Sequence, residues 1–263
     1  MLPVALSIAG SDSGGGAGIQ ADLKTFHAFG TFGTTAVTAI TAQNTRGVRG
    51  VHPIPTAMVR DQIRAVAEDL PPAAFKTGML ATGELVRTVA AAIEEHGLRN
   101  FVLDPVMVAS SGDRLLDRDA ERTIRDELLR LATLVTPNLD EAAILAGFEV
   151  TDPETMRRAA ETLVEQGAAA VLLKGGHLPG AELTDLLWDG REWTEWRRPK
   201  LETRHTHGTG CTLSAAIVAG LAHGRPLAAA VDAALDYVRR AMEGAPGLGS
   251  GHGPLNHMIP GIT

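Results

Sequence analysis

Short apolar runs rich in branched residues alternate with amphipathic stretches along most of the chain, the pattern of parallel strands joined by crossover helices. Residues 3–8, 101–103, 133–135 and 169–173 are the strand candidates, and each runs straight into polar or Gly-rich positions. In an open α/β sheet the loops after the carboxyl ends of the strands form the ligand crevice, so this order predicts a site built from four loops on one edge. Val59, Ile63, Val66, Ala67 and Leu70 recur at helical spacing, as do Leu213, Ala216, Ile217, Gly220 and Leu221, which predicts two helix faces packed on the sheet. Asp189-Gly190 between residues 183–187 and 192–197 is a hairpin signal and predicts antiparallel strands late in the sheet. Segment 244–253 reads as irregular.

Composition narrows the picture. The chain has 263 residues, 44% hydrophobic and 21% charged, with no fixed-period repeat or low-complexity tract, which predicts a single folded α/β domain over residues 1–263. Acidic residues outnumber basic ones, 31 against 24, for a net charge of -7, and only 4% of residues are aromatic, so a nucleic-acid-binding face is not expected. The one cysteine cannot form an intramolecular disulfide. The start, Met-Leu-Pro-Val, lacks the pattern of a secretion signal, and no window has the 18 to 20 apolar residues of a membrane span. A cytoplasmic protein with no membrane role is the expectation.

Four segments carry candidate chemistry. Ala9 to Gly18 is glycine-rich and leads into a helical pattern, but Ile19 stands where a dinucleotide fold wants its third glycine, and no Asp or Glu occurs between Asp22 and Asp61. So many glycines predict close approach of backbone to a ligand. In Thr206 to Ser214 a Gly-rich turn opens a helix, whose unpaired first amides form an anion site. Cys211 at that helix start is a candidate base or nucleophile, its thiolate favoured by position; a small buried cysteine packed under the turn is the alternative. In Val135 to Glu141 a strand ends and a helix begins. Asn138 and Glu141 fit a capping box, while Asp140, Glu141 and Asp104 form a cluster of hard oxygen groups suited to Mg²⁺. Lys174, at another strand end before Gly175-Gly176-His177, offers a charge for a phosphate. Gln43 presents donors and an acceptor that complement an aminopyrimidine edge, or is a plain loop residue. His205 and His207 near Cys211 are too few for a zinc site.

Taken together, these segments resemble the hydroxymethylpyrimidine and phosphomethylpyrimidine kinases of thiamine biosynthesis, members of the ribokinase-like superfamily. The likeness also runs through Lys76-Thr77-Gly78-Met79-Leu80, Leu103-Asp104-Pro105-Val106-Met107-Val108 and Gly251-His252-Gly253-Pro254-Leu255. It implies a three-layer α/β/α sandwich with a mostly parallel central sheet, a homodimer, and ATP with Mg²⁺ as cofactors. It also implies phosphorylation of 4-amino-5-hydroxymethyl-2-methylpyrimidine to its monophosphate and then its diphosphate. By the same resemblance Gln43 reads the pyrimidine, and Gly10, Ala17, Met79 and Val106 line its pocket. Lys174 contacts ATP, and Asp104 and Glu141 lie towards magnesium. Gly208, Thr209 and Gly210 form the anion hole, and Cys211 takes the acceptor's proton. The similar sugar kinases have aspartate at that last position. A pyridoxal kinase or a dual-specificity enzyme is the nearest rival; a non-catalytic pyrimidine sensor and a cysteine hydrolase are more distant ones.

Overall fold

The computed structural model describes residues 2–107, 118–176, 178 and 180–261. Val108 and His177, quoted above among the motifs, lie outside the described residues. Nine strands form one sheet: β1 (Val4–Asp12), β2 (Phe32–Asn44), β3 (Gly47–Pro53), β4 (Ala74–Thr77), β5 (Phe101–Leu103), β6 (Leu134–Val135), β7 (Val171–Lys174), β8 (Glu182–Trp188) and β9 (Trp193–Pro199). Their spatial order is β3-β2-β1-β4-β5-β6-β7-β8-β9. The run from β2 to β7 is parallel throughout. All four strand candidates are present, and so is the late hairpin, where β8 and β9 pair antiparallel. Its turn spans Asp189 to Glu192, with the Asp189 carboxylate accepting the amides of Arg191 and Glu192 and Gly190 at a φ of 83°.

Helices cover both faces: α1 (Gly18–Ala28), α2 (Thr56–Asp69), α3 (Gly83–Glu95), α4 (Arg118–Thr123), α5 (Leu139–Ala146), α6 (Pro153–Glu165), α7 (Thr209–Ala222) and α8 (Leu227–Glu243). Strand residues alternate between two cores, as the two-residue period demands of a sheet buried on both sides. Leu6, Ile8, Phe75, Phe101, Leu103 and Leu173 meet α2, α3, α5 and α6. Ala5, Ala74, Val102, Leu134 and Leu172 meet α1, α7 and α8. On the first side the rings of Phe75 and Phe101 stack at 4.8 Å.

Two helix readings need amending. Val59 and Ile63 are buried in α2, but Leu70 lies beyond its last turn and is 39% exposed. The apolar face of α7 is wider than read: Thr212 to Gly220 is buried without interruption, because α7 is enclosed by sheet, α1 and α8. Gly220 is required where α7 meets α8, since a Cβ there would lie 2.9 Å from that of Ala230. No helix among the described residues is long and apolar enough to cross a membrane.

Candidate active site

Because β1, β2, β4, β5, β6 and β7 run the same way, their carboxyl ends meet on one edge. There a cavity of about 720 Å³ opens. Gly10, Ala17, Gln43, Met79, Asp104, Val106, Glu141, Lys174, Gly208, Thr209, Gly210 and Cys211 all line it. The loops that the sequence singles out separately therefore converge on one space.

At the β1–β2 end, a register shift between Ala9 and Ser11 turns Gly10 inward, where a Cβ would meet the Met79 sulfur at 3.5 Å. Gln43 is held by its backbone: its amide donates to Ser13 Oγ at 2.8 Å, and its carbonyl accepts from the same hydroxyl at 2.7 Å. Thr41 Oγ1 lies 3.2 Å from Gln43 Oε1. The Gln43 side-chain NH₂ has no protein partner among the described residues and is available to a ligand.

The Gly-rich turn opens α7 as the sequence suggests, for a backbone reason. Gly208 caps α7 in the left-handed region at φ 85°, and a Cβ there would collide with the Gly16 carbonyl. The amides of Gly208, Gly210 and Cys211 have no acceptor among the described residues, whereas the Thr209 amide turns back to the Thr206 carbonyl at 3.3 Å. The Thr209 hydroxyl donates to that same carbonyl at 3.1 Å. A Cβ on Gly210 would lie 3.6 Å from Lys174 Nζ and 3.9 Å from both Asp104 carboxylate oxygens, so open amides, ammonium and carboxylate frame one spot.

On the acidic rim, Lys174 Nζ stands 3.9 Å from Asp104 Oδ1 and 3.9 Å from Glu141 Oε2. The capping box of α5 is present too: Glu141 Oε2 accepts the Asn138 amide at 2.8 Å and Asn138 Oδ1 accepts that of Glu141 at 2.9 Å. Glu141 thus serves the helix and faces the cavity at once. Burial pushes its carboxyl up to about 7, with Lys174 pulling the other way. Asp104 Oδ1 accepts no hydrogen bond among the described residues. Two carboxylates, with no group of three metal-type side chains among the described residues, fit a Mg²⁺ that would keep several waters and take its remaining oxygens from phosphates.

Two sequence readings are corrected here. The position of Cys211 at a helix start does not favour its thiolate: burial of the sulfur pushes the thiol up to about 12, and Asp22 and Asp104 add to that against the opposing Lys76. Desolvation outweighs the helix dipole. Nor do Gly14, Gly15 and Gly16 open the backbone to the cavity. They wrap the Asp12 carboxylate, which accepts the amides of Gly14 at 2.7 Å, Gly16 at 3.0 Å and Ala17 at 2.9 Å. A Cβ on Gly16 would meet the His207 ring, 3.3 Å from Nε2. His207 itself binds Asp12 rather than joining Cys211, with Nε2 2.8 Å from Oδ2.

Sequence reasoning missed the buried charges beneath the site. Lys76 Nζ lies 3.0 Å from Asp22 Oδ1 and 3.6 Å from Asp104 Oδ2, all three side chains being nearly or fully buried. Burial works against the Lys76 ammonium, but the facing carboxylates, Asp22 foremost, hold it charged. Ser7 donates to Asp22 at 2.5 Å and Ser214 to Asp104 at 3.0 Å. The signal was a lysine inside the short apolar strand Ala74–Thr77. Asp185 was missed as well; it lines the cavity across the β7–β8 pair from Lys174, and burial pushes its carboxyl up to about 6.

The profile described as phosphomethylpyrimidine kinase matches residues 12–256. A hydroxymethylpyrimidine/phosphomethylpyrimidine kinase of Rhizobium meliloti is 52% identical over 260 residues, covering 98% of this chain and 97% of that protein. Among solved structures, the ADP complex of Bacillus subtilis pyridoxal kinase superposes with a TM-score of 0.92 at 38% identity, over 98% of each chain. The phosphomethylpyrimidine kinase of Clostridium difficile 630 does so with 0.82 at 40% identity, over 91% of this chain and 99% of that one. The pyridoxal kinase likeness carries the ribokinase-like sandwich, and the near-complete match of profile and relative carries more: the chain belongs to the phosphomethylpyrimidine kinase family.

Proposed function

We propose that this chain, acting as one kinase domain over residues 1–263, transfers the γ-phosphoryl group of ATP to the hydroxymethyl group of 4-amino-5-hydroxymethyl-2-methylpyrimidine. It then phosphorylates the monophosphate to the diphosphate, for thiamine diphosphate biosynthesis. The observation that carries this reading is the convergence at Gly210: open amides of α7, the Lys174 ammonium and the Asp104 carboxylate surround one point beside Cys211. Phosphoryl transfer depends mainly on positioning and on neutralising spread negative charge, and these groups supply both.

The Gln43 amide reads the pyrimidine edge, with Gly10, Ala17, Met79 and Val106 as pocket walls. Lys174 meets the ATP phosphates as a point charge. Asp104 and Glu141 would hold Mg²⁺, which when bound neutralises phosphate charge. The amides of Gly208 and Gly210 receive the equatorial oxygens of the transferred group, and Thr209 shapes the turn through its bonds to Thr206. Cys211 is protonated in the free protein and acts through its minor thiolate form: as the acceptor oxygen attacks phosphorus its proton passes to the sulfur, which returns to the neutral thiol. A neutral sulfur also avoids setting a carboxylate against the second acceptor, itself a phosphate. We place the protein in the cytoplasm as a homodimer.

The test is Cys211→Ala assayed for ADP release. The expected result is a turnover loss of about three orders of magnitude with pyrimidine affinity retained within about threefold, since the thiol acts on the reacting oxygen alone. Lost affinity with unchanged turnover contradicts the assignment. The TM-score of 0.92 to a pyridoxal kinase makes pyridoxal the competing acceptor, and side-by-side turnover on the two substrates separates the readings.

A further inference from the structure

Asp12 and His207 are both buried, at 3% and 6% exposure, and they come from opposite ends of the chain. Asp12 ends β1, and His207 directly precedes the left-handed Gly208. An ionised carboxylate carries no hydrogen to donate, so His207 Nε2 is the donor in their 2.8 Å bond. The same Oδ2 accepts the amides of Gly16 and Ala17. Despite burial, the bonds from His207 and from the Gly14 and Ala17 amides hold this carboxyl below the usual aspartate range.

One oxygen atom therefore ties the loop bearing Ala17, a wall of the cavity, to the turn bearing the open amides. The surfaces are also matched sterically. Gly16 leaves room for the His207 ring, and Gly208 leaves room for the Gly16 carbonyl. On its other side His207 is fixed through its own amide, which donates to the Gly253 carbonyl at 3.2 Å. A buried ion with four donors contributes little net stability over an apolar replacement of similar volume, and its effect lies in fixing register.

We propose that His207 is a positioning residue for phosphoryl transfer, its Nε2–H bond to Asp12 setting the Gly208–Cys211 amides in register with the acceptor pocket walled by Ala17. The proposal rests on the kinase reading above. Its consequence is a division of labour: the Asp12 loop keeps its own three amides when His207 is lost, so acceptor binding survives, while the amides of the turn drift from the reacting phosphoryl group.

The experiment measures kcat and pyrimidine KM for the wild-type chain, His207→Phe and His207→Gln, with thermal melts of each. Wild type turns over; His207→Phe loses about 100-fold in kcat, as a displacement near 1 Å does, with KM within about threefold. His207→Gln, whose amide nitrogen reaches the position of Nε2, recovers at least about tenfold of that loss. Unchanged kcat in the Phe variant, a rise in KM alone, or a Gln variant no better than Phe overturns the proposal. Should the Phe variant not fold, His207→Asn takes its place: its shorter amide falls short of Asp12, and kcat equal to that of His207→Gln overturns the proposal. A wild-type chain inactive on every acceptor sinks the kinase reading itself, a different outcome from a variant-specific one.

Discussion

The thiol of Cys211 illustrates how two effects at a single residue are decided by magnitude. A helix start contributes a fraction of a charge near the sulfur, whereas taking a thiolate out of water shifts ionisation by several units. The burial that raises it to about 12 predicts sluggish alkylation. At pH 7.5, iodoacetamide labels Cys211 about 10- to 100-fold more slowly than a free cysteine peptide, and the rate climbs with pH without levelling off below about pH 10. Because Cys211 is the only cysteine, mass spectrometry of the intact chain reads the reaction directly. A plateau below pH 8 refutes the assignment of a neutral thiol. Gln43 drew notice in the sequence because its amide chemistry is intrinsic to the residue, and it lines the cavity. The pairing of Asp12 with His207 gave no such sign, since it joins positions 195 residues apart, which no local pattern reports.

Among the elements, β4 carries the sharpest conflict between local sequence and setting. A four-residue strand with a fully buried lysine is tolerated only because Asp22 of α1 and Asp104 after β5 face it. Lys76→Met leaves two carboxylates uncompensated and lowers stability by about 3–5 kcal/mol, read as a reduced urea midpoint. Adding Asp22→Asn removes the charge on both sides of the closest contact and restores most of the loss. A single variant that unfolds within about 1 kcal/mol of wild type shows that the pair is not structurally coupled. The strands following apolar runs were readable from composition. β3 was not: every one of its residues is half-buried or exposed, so this antiparallel edge strand shows no alternation to read. The capping box of α5 was readable from Asn138 and Glu141, because its reach is only three residues.

At the level of the whole molecule, the net charge of -7 continues into the cavity, where Asp12, Asp104, Asp140, Glu141 and Asp185 stand against Lys174, Arg198, Lys200 and Arg239. Arg198, Lys200 and Arg239 come together beside the end of β9, and the local attraction of a polyanionic nucleotide to them is weakened by dissolved salt. Raising ionic strength from about 0.05 to 0.5 M increases KM for ATP about 3- to 10-fold and leaves the KM of the uncharged pyrimidine within about twofold. Equal sensitivity of both constants contradicts this picture. The α/β class and the shared sheet edge were legible from the alternation of strands and helices, and the three-layer sandwich from the family resemblance. The detailed meeting of α7 with the glycine loop was not, because it depends on which backbone atoms leave no space for a side chain.

Strand β1, beside the Gln43 flank, and strand β7, which ends in Lys174, are four strand spacings apart, about 19 Å. Substitution effects couple strongly only within about 10 Å, so the two ends of the crevice are free to diversify independently. Under the proposed function, a lineage built on this scaffold exchanges one small aromatic alcohol for another at positions 10, 43 and 79 while its nucleotide chemistry stays intact.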